Sequence, residues 1–258
     1  MGKSTVSVNL ALGLKQVGLK VGLLDADLYG PSIPIMMGLK GKKPRVEQVY
    51  GVNKIVPLNG FGLPVMSIGF VVEPEQAVGL RGPRLAGIMK QFLEDCMWPE
   101  MDVLIIDLPP GTGDIQLTLV QTVPVTGAII VTTPQKVAVA DAIKAANMFQ
   151  LENVKVPILG IVENMSWFSP EELPNNRYEI FGKGGGMELA GLFLTQLLAQ
   201  IPIVMSIRNG GDEGKPVILN NENDNTSIAF KELSENVLKQ LEYRNKNLAP
   251  SQKVEMKN

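Results

Sequence analysis

The segment Val103-Leu104-Ile105-Ile106-Asp107-Leu108-Pro109-Pro110-Gly111-Thr112-Gly113-Asp114 decides how the rest of the chain is read. Four consecutive apolar residues that end in a carboxylate, followed by two prolines and two glycines, describe a strand covered on both faces that stops at a sheet edge. Parallel α/β folds bind their ligands at the carboxyl edge of the sheet, so Asp107 stands where an acid holds Mg²⁺ through water. The glycines after it, Gly111 first, leave backbone N–H groups free to meet a phosphate. Working outward, short apolar runs at 20–25, 63–68, 102–107, 127–132, 158–162 and 201–204 alternate with segments of helical period at 4–17, 84–95, 115–122, 137–150, 186–199 and 226–243. That alternation predicts strand–helix–strand units feeding a mostly parallel sheet. Residues 38–59, basic at Lys40, Lys42, Lys43 and Arg45, read as a surface loop. Residues 244–258 carry Pro250 and no apolar stripe, so a flexible tail is expected after a domain spanning 1–243.

Two further segments carry chemistry. The chain opens Met1-Gly2-Lys3-Ser4-Thr5 and runs into a helix read as amphipathic through Val8, Leu10, Leu12, Leu14 and Val17. Gly-Lys-Ser-Thr at a helix start is the second half of a phosphate-binding loop. Backbone N–H groups and the helix dipole hold phosphate oxygens there, Lys3 neutralises them, and Ser4 ligates Mg²⁺ together with Asp107. The stretch Leu24-Asp25-Ala26-Asp27 ends another strand in carboxylates, and Asp27, further out on the loop, is the choice for orienting a water against a γ-phosphate.

Composition excludes whole classes of chemistry. The 258 residues contain no histidine, which removes Ser-His and Cys-His nucleophile pairs, histidine zinc ligands and imidazole proton shuttles. Cys96 is the single cysteine, so no disulfide, Cys-x-x-Cys redox pair or zinc knuckle forms within one chain, and a reducing cytoplasm fits best. A net charge of -2 supplies no positive field toward nucleic acid or anionic lipid, and neither is expected as a partner. No apolar run approaches the roughly 18 residues of a membrane span, and the start of the chain has no export-signal pattern.

Seven segments, in order along the chain, resemble the Mrp-type (ApbC/Nbp-like) P-loop ATPases: Gly2-Lys3-Ser4-Thr5, Asp25-Ala26-Asp27-Leu28-Tyr29-Gly30-Pro31-Ser32, Arg81-Gly82-Pro83, Asp107 through Asp114, Thr132-Thr133-Pro134-Gln135, Glu163-Asn164-Met165 and Asp212-Glu213-Gly214-Lys215-Pro216. The resemblance implies an α/β P-loop NTPase three-layer sandwich of the deviant Walker A (SIMIBI) class. It implies a homodimer that binds and slowly hydrolyses Mg-ATP, with catalytic residues Lys3, Asp27 and Asp107. Gly2, Lys3, Ser4, Thr5 and Gly111 would serve the phosphates and Asn164 the adenine. The implied task is to carry or assemble iron–sulfur clusters for client or scaffold proteins.

The chain departs from that pattern in two places. The family's loop reads Lys-Gly-Gly-x-Gly-Lys-Ser-Thr after a strand. Against it, the central strand, the early glycines, the lysine reaching across the dimer and an accessory domain are expected to be missing before Met1. A chain starting there is expected to fold poorly and bind nucleotide weakly, because a sheet without an inner strand leaves two rows of backbone groups unpaired. The family also carries Cys-x-x-Cys after Glu-Asn-Met, where this chain reads Ser166-Trp167-Phe168-Ser169-Pro170-Glu171-Glu172-Leu173-Pro174. A [4Fe–4S] cluster is therefore implied by kinship alone, since carboxylates are poor substitutes for thiolate and Cys96 reads as a small buried residue. The alternatives are a partitioning or positioning ATPase of the same superfamily, and a nucleotide-switched binding module that holds no cluster.

Overall fold

Four of the strands that the apolar runs mark end on polar residues, Asp25, Ser67, Asp107 and Thr132. In the computed structural model, which describes the chain apart from 28–29, 73–81, 171, 174–175, 221–223, 255–258 and the side chains of 82–85 and 114, Asp25 lies in register with both Ser67 and Asp107. Leu28, Tyr29, Arg81, Glu171 and Pro174 of the motifs above lie outside the described residues.

Helix α1 (Lys3–Gln16) leads to β1 (Val21–Asp25), the short α2 (Ile33–Met36), a hairpin of β2 (Arg45–Val49) and β3 (Val52–Val56), then β4 (Leu58–Gly60) and β5 (Leu63–Ser67). There follow α3 (Gly82–Glu94), β6 (Val103–Asp107), α4 (Asp114–Thr122), β7 (Ala128–Thr132), α5 (Lys136–Gln150) and β8 (Ile158–Phe168). The chain continues through α6 (Gly185–Leu192), β9 (Leu197–Ile203), α7 (Met205–Glu213) and α8 (Asn225–Asn247). The strands form a sheet ordered β4-β5-β1-β6, parallel except for β4, and a wholly parallel sheet ordered β7-β8-β9. Among the described residues β6 pairs only with β1 and β7 only with β8, so the two sheets face one another across unpaired edges.

Helix α1 is buried without a break from Val8 to Leu14 rather than along one stripe, as a helix enclosed on all sides is. Its buried Asn9 is satisfied locally: Nδ2 donates to the Thr5 carbonyl at 2.8 Å and Oδ1 accepts the Ile218 N–H at 3.1 Å. Helix α8 packs against α1 and β9 through Phe230, Leu233 and Val237. A second core joins β7 to α5 and α6 through Ile130, Val139, Ala146 and Leu189. No helix among the described residues is long and apolar enough to cross a membrane.

Several expectations are corrected. The loop read over 38–59 contains the β2–β3 hairpin and β4. Tyr50 and Gly51 both take positive φ (50° and 80°), the turn that favours a two-residue hairpin, here without its usual Asn-Gly sequence. The helix expected over 186–199 stops at Leu192, and the apolar run after it extends into β9, whose parallel ladder with β8 outweighs its helical period. The last helix continues past Tyr243 to Asn247, with Arg244 buried and its guanidinium donating to Ser251 Oγ at 2.8 Å. Beyond it, the Val254 N–H reaches the Val120 carbonyl at 2.9 Å.

Candidate functional site

The first turn of α1 meets the carboxyl edge of both sheets. Gly2 holds a left-handed backbone (φ 78°), and a side chain there would collide with the Asn164 amide, so glycine alone fits. Asn164, on β8 and buried, donates from Nδ2 to the Met1 carbonyl at 3.1 Å. On the other sheet, Ser7 Oγ donates to Asp107 Oδ1 at 2.9 Å, and the Ser4 hydroxyl bonds the same carboxylate. Asp107 Oδ2 is buried and finds no hydrogen-bond partner among the described residues. Burial raises the Asp107 carboxyl above its ordinary range, against the opposing pull of Ser4, Ser7 and the Lys3 charge. An orphaned carboxylate oxygen beside a serine hydroxyl is an all-oxygen donor set, which fits a hard divalent cation.

Asp25 is fully buried next to it. Ser67 Oγ donates to its Oδ2 at 2.9 Å and the Asp27 N–H to its Oδ1 at 3.1 Å. Burial, then the Asp107 charge, push its carboxyl up to about 7. Asp27 is half-buried, accepts the Gly30 N–H at 3.3 Å, and lies close enough to raise both other acids. The loop after β6 presents Gly111 to solvent with φ 96°. Gln116, from α4, ties that loop down by donating to the carbonyls of Pro109 at 3.2 Å and Gly111 at 3.0 Å.

Thr5 and Asn164 line a cavity of about 360 Å³ with Ser32, Pro202, Arg208 and Asp212. Its β8 wall is fixed by Glu163, whose buried carboxylate accepts the Gly186 N–H at 2.6 Å and the Gln200 side-chain amide at 2.7 Å. The structure thus brings Gly2, Lys3, Ser4, Asp25, Asp27 and Asp107 to one corner, with Thr5 and Asn164 opening onto the adjoining cavity. Ser7, Ser67 and Gln116 were missed from sequence. Ser7 follows Ser4 at helical spacing and was findable on that ground. Ser67 and Gln116 carry no local signal.

Where a thiol pair was sought, the chain forms a backbone bridge between Phe168 and Tyr178, and the Arg177 guanidinium stacks 4.3 Å from the Trp167 ring. Cys96 is buried beside β3 and its thiol is pushed up to about 12 by burial, which suits a packed apolar residue and not a thiolate ligand.

Residues 1–238 match the family described as ParA: NUBPL iron-transfer P-loop NTPase. The chain is similar to an iron-sulfur cluster carrier protein of Synechocystis, 45% identical over 92% of this chain and 67% of that one. It is likewise similar to an iron-sulfur cluster transfer protein of Dictyostelium discoideum, 43% identical over 95% of this chain and 74% of the relative. Against the carrier of Aquifex aeolicus, the chain spans 62% of the relative's length. Among solved structures, the nucleotide-binding protein of Archaeoglobus fulgidus in complex with ADP superposes with a TM-score of 0.71 at 38% identity, covering 84% of this chain and 82% of that one. With the fold, the head of α1 and this degree of likeness in agreement, the chain belongs to the ParA-type family of NUBPL iron-transfer P-loop NTPases.

Proposed function

We propose that this chain binds Mg-ATP at the head of α1 and hydrolyses it slowly as a homodimer in the service of iron–sulfur cluster delivery. The observation that carries the reading is the buried Asp107 carboxylate, held by Ser4 and Ser7 with one oxygen left unsatisfied at a helix N-terminus. Ser4 and Asp107 are the residues that would hold Mg²⁺, which supplies charge neutralisation on the phosphates when bound. The α1 amides and Lys3 take the phosphate oxygens, helped by Thr5 and the Gly111 N–H. Asn164 and the cavity around Pro202 and Arg208 receive the base. Asp27 orients a water toward the γ-phosphorus; the new P–O bond forms as the bond to ADP breaks, and ADP and phosphate leave.

The cluster enters as cargo, on the strength of the relatives' names and the family description. With Cys96 as the only cysteine, and that one buried, a homodimer of this chain has no four-thiolate set to offer. A client or scaffold protein therefore provides the ligands. The same observation favours a second reading, a nucleotide-switched binding module with no cluster of its own. A reducing cytoplasm suits either reading, and nucleic acid and membrane are not among the partners proposed.

Two measurements test this. ATP affinity and phosphate release are compared for the chain and Lys3→Ala, where a loss of about tenfold or more in affinity is expected from removing a charge-assisted phosphate contact. Iron and sulfide are then assayed after anaerobic reconstitution. A stoichiometric, stable cluster on the chain alone overturns the assignment of ligands to a client. Equal ATP affinity of chain and variant overturns the site.

A further inference from the structure

Hairpin β2–β3 forms a sheet of its own, with exposed residues from Arg45 to Gln48 on one strand and at Val52 and Asn53 on the other. A two-stranded ribbon in water is marginal by itself, so its anchorage matters. Strand β3 supplies it. The Ile55 N–H donates to the Asp95 carbonyl at 3.0 Å, the Met97 N–H to the Ile55 carbonyl at 2.7 Å, and Lys54 Nζ to Asp95 Oδ1 at 2.8 Å. Held from that side, the ribbon presents β2 as an outer edge that pairs with β3 alone among the described residues.

The turn at Tyr50 and Gly51 settles which backbone groups face outward. Val49 and Val52 flank a two-residue turn and so exchange both hydrogen bonds, and by alternation Glu47 and Arg45 also bond to β3. The N–H and C=O groups of Val46 and Gln48 therefore point away from it. Val46 stands opposite Ile55, which packs on the main core, yet Val46 is itself 61% exposed, so apolar surface runs one strand past the end of the core. The approach to this edge, Lys40-Gly41-Lys42-Lys43-Pro44-Arg45, holds four cations in six residues and no acid. Of these, Lys40, Lys42 and Arg45 are exposed and make no ion pair among the described residues.

We infer that the β2 edge docks an extended acidic segment of a partner protein, added as an antiparallel strand. Outward N–H and C=O groups two residues apart are the template that such a strand needs. An antiparallel guest lays its last residues beside the first residues of β2, so its carboxylates follow its apolar part. One β-branched residue then covers Val46, and the acids after it meet Arg45, Lys42 and Lys40. A nucleic acid or an anionic lipid pairs with these cations but leaves the ladder unused, which is why a polypeptide is the occupant. The inference stands apart from the nucleotide reading, since its test needs no nucleotide.

The probe is a fluorescein-labelled, amidated peptide, Thr-Val-Thr-Val-Glu-Asp-Glu, titrated into the 258-residue chain without nucleotide. It is compared with the same peptide methylated at alternate backbone nitrogens, with its acids replaced by lysine, and with its sequence reversed. Saturable 1:1 binding at least about tenfold tighter than any of the three is expected, from the loss of ladder bonds or of charge pairing. Amide exchange at Val46 and Gln48 is expected to slow by about tenfold or more on binding, while Glu47 and Val49, already bonded to β3, change by less than about threefold. Val46→Pro, which removes an outward donor that β3 does not use, and the pair Lys42→Glu with Arg45→Glu should each weaken binding by about tenfold or more. Equal binding of the methylated peptide means a charged surface and not a strand edge, and overturns the proposal. Equal binding of the reversed peptide overturns the antiparallel assignment. No binding, Val46 and Gln48 amides already slow in the free chain, or displacement of the peptide by a single-stranded oligonucleotide at equal affinity each overturns the proposal outright.

Discussion

Asp25 and Asp107 stand directly opposite one another on adjacent parallel strands, in register, and both are buried. The Asp107 charge makes Asp25 harder to ionise, and each has a separate set of donors: Ser67 and the Asp27 N–H for Asp25, Ser4 and Ser7 for Asp107. Two carboxylates so placed, with one oxygen unsatisfied among the described residues, carry a charge that a bound cation would compensate.

A pH dependence follows from the sign of these shifts. Both carboxyls are raised in the folded protein, Asp25 to about 7, so the folded state holds protons that the unfolded chain releases near 3.8. The contribution of Asp25 is complete below the unfolded value and is lost as pH rises through about 7, and that of Asp107 is lost in the same direction. Melting in EDTA should therefore fall between pH 6 and pH 8, and Asp25→Asn should flatten that fall. Adding Mg²⁺ at pH 8 should restore more stability than at pH 6. A melting temperature that rises over the same interval in EDTA, in the parent but not in the variant, contradicts the assignment.

Asp27→Asn should separate binding from chemistry. Loss of the carboxylate proposed to orient water is expected to lower phosphate release by about 100-fold or more while ATP affinity changes by less than about threefold. Single-turnover phosphate release alongside equilibrium binding reads the two apart. Unchanged turnover removes Asp27 from the reaction.

Asp107→Asn should instead act on the metal. Replacing the orphaned oxygen with an amide is expected to raise the Mg²⁺ concentration needed for half-maximal turnover by about tenfold or more. Ser7→Ala, which removes only a positioning hydrogen bond and leaves both carboxylate oxygens in place, should shift it by a smaller factor.

At Gly2 the steric and conformational demands coincide. Gly2→Ala places a methyl against the Asn164 amide and strains a left-handed backbone, at a cost of about 1 kcal/mol or more. ATP affinity should drop while far-UV circular dichroism stays unchanged. A variant that binds ATP as well as the parent would show that the α1 head is not held in this form during binding.

Cys96 should be chemically quiet. With its thiol pushed up to about 12 and the side chain buried, alkylation by iodoacetamide at pH 8 is expected to be at least about tenfold slower in the folded chain than in urea. Cys96→Ala should leave nucleotide turnover unaltered. Rapid labelling of the folded chain would reopen Cys96 as a ligand.

How much of this was legible beforehand depended on how local the cause was. Runs such as 103–107 and 128–132 end in polar residues followed by Pro or Gly, and both the strands and the edge they share could be read from consecutive residues. The β2–β3 hairpin was obscured because Tyr50 occupies a turn position normally taken by Asn. The residues 193–199 were read as helix because their apolar spacing fits either period; pairing with β8 decided for strand. Ser67 and Gln116 became visible as site residues only through their partners, Asp25 and the Pro109–Gly111 carbonyls.

The order of amino acids by itself determined the strands at 103–107 and 128–132, the acids that close β1 and β6 and the Gly-Lys-Ser-Thr start of α1, because each is set by residues adjacent in the chain. Tertiary packing alone decided that Ser7 meets Asp107 across 100 positions and that Asn164 meets Met1 across 163. Such outcomes depend on which edges hydrogen-bond and which faces leave water, and those are free-energy balances over the whole chain that no short stretch contains.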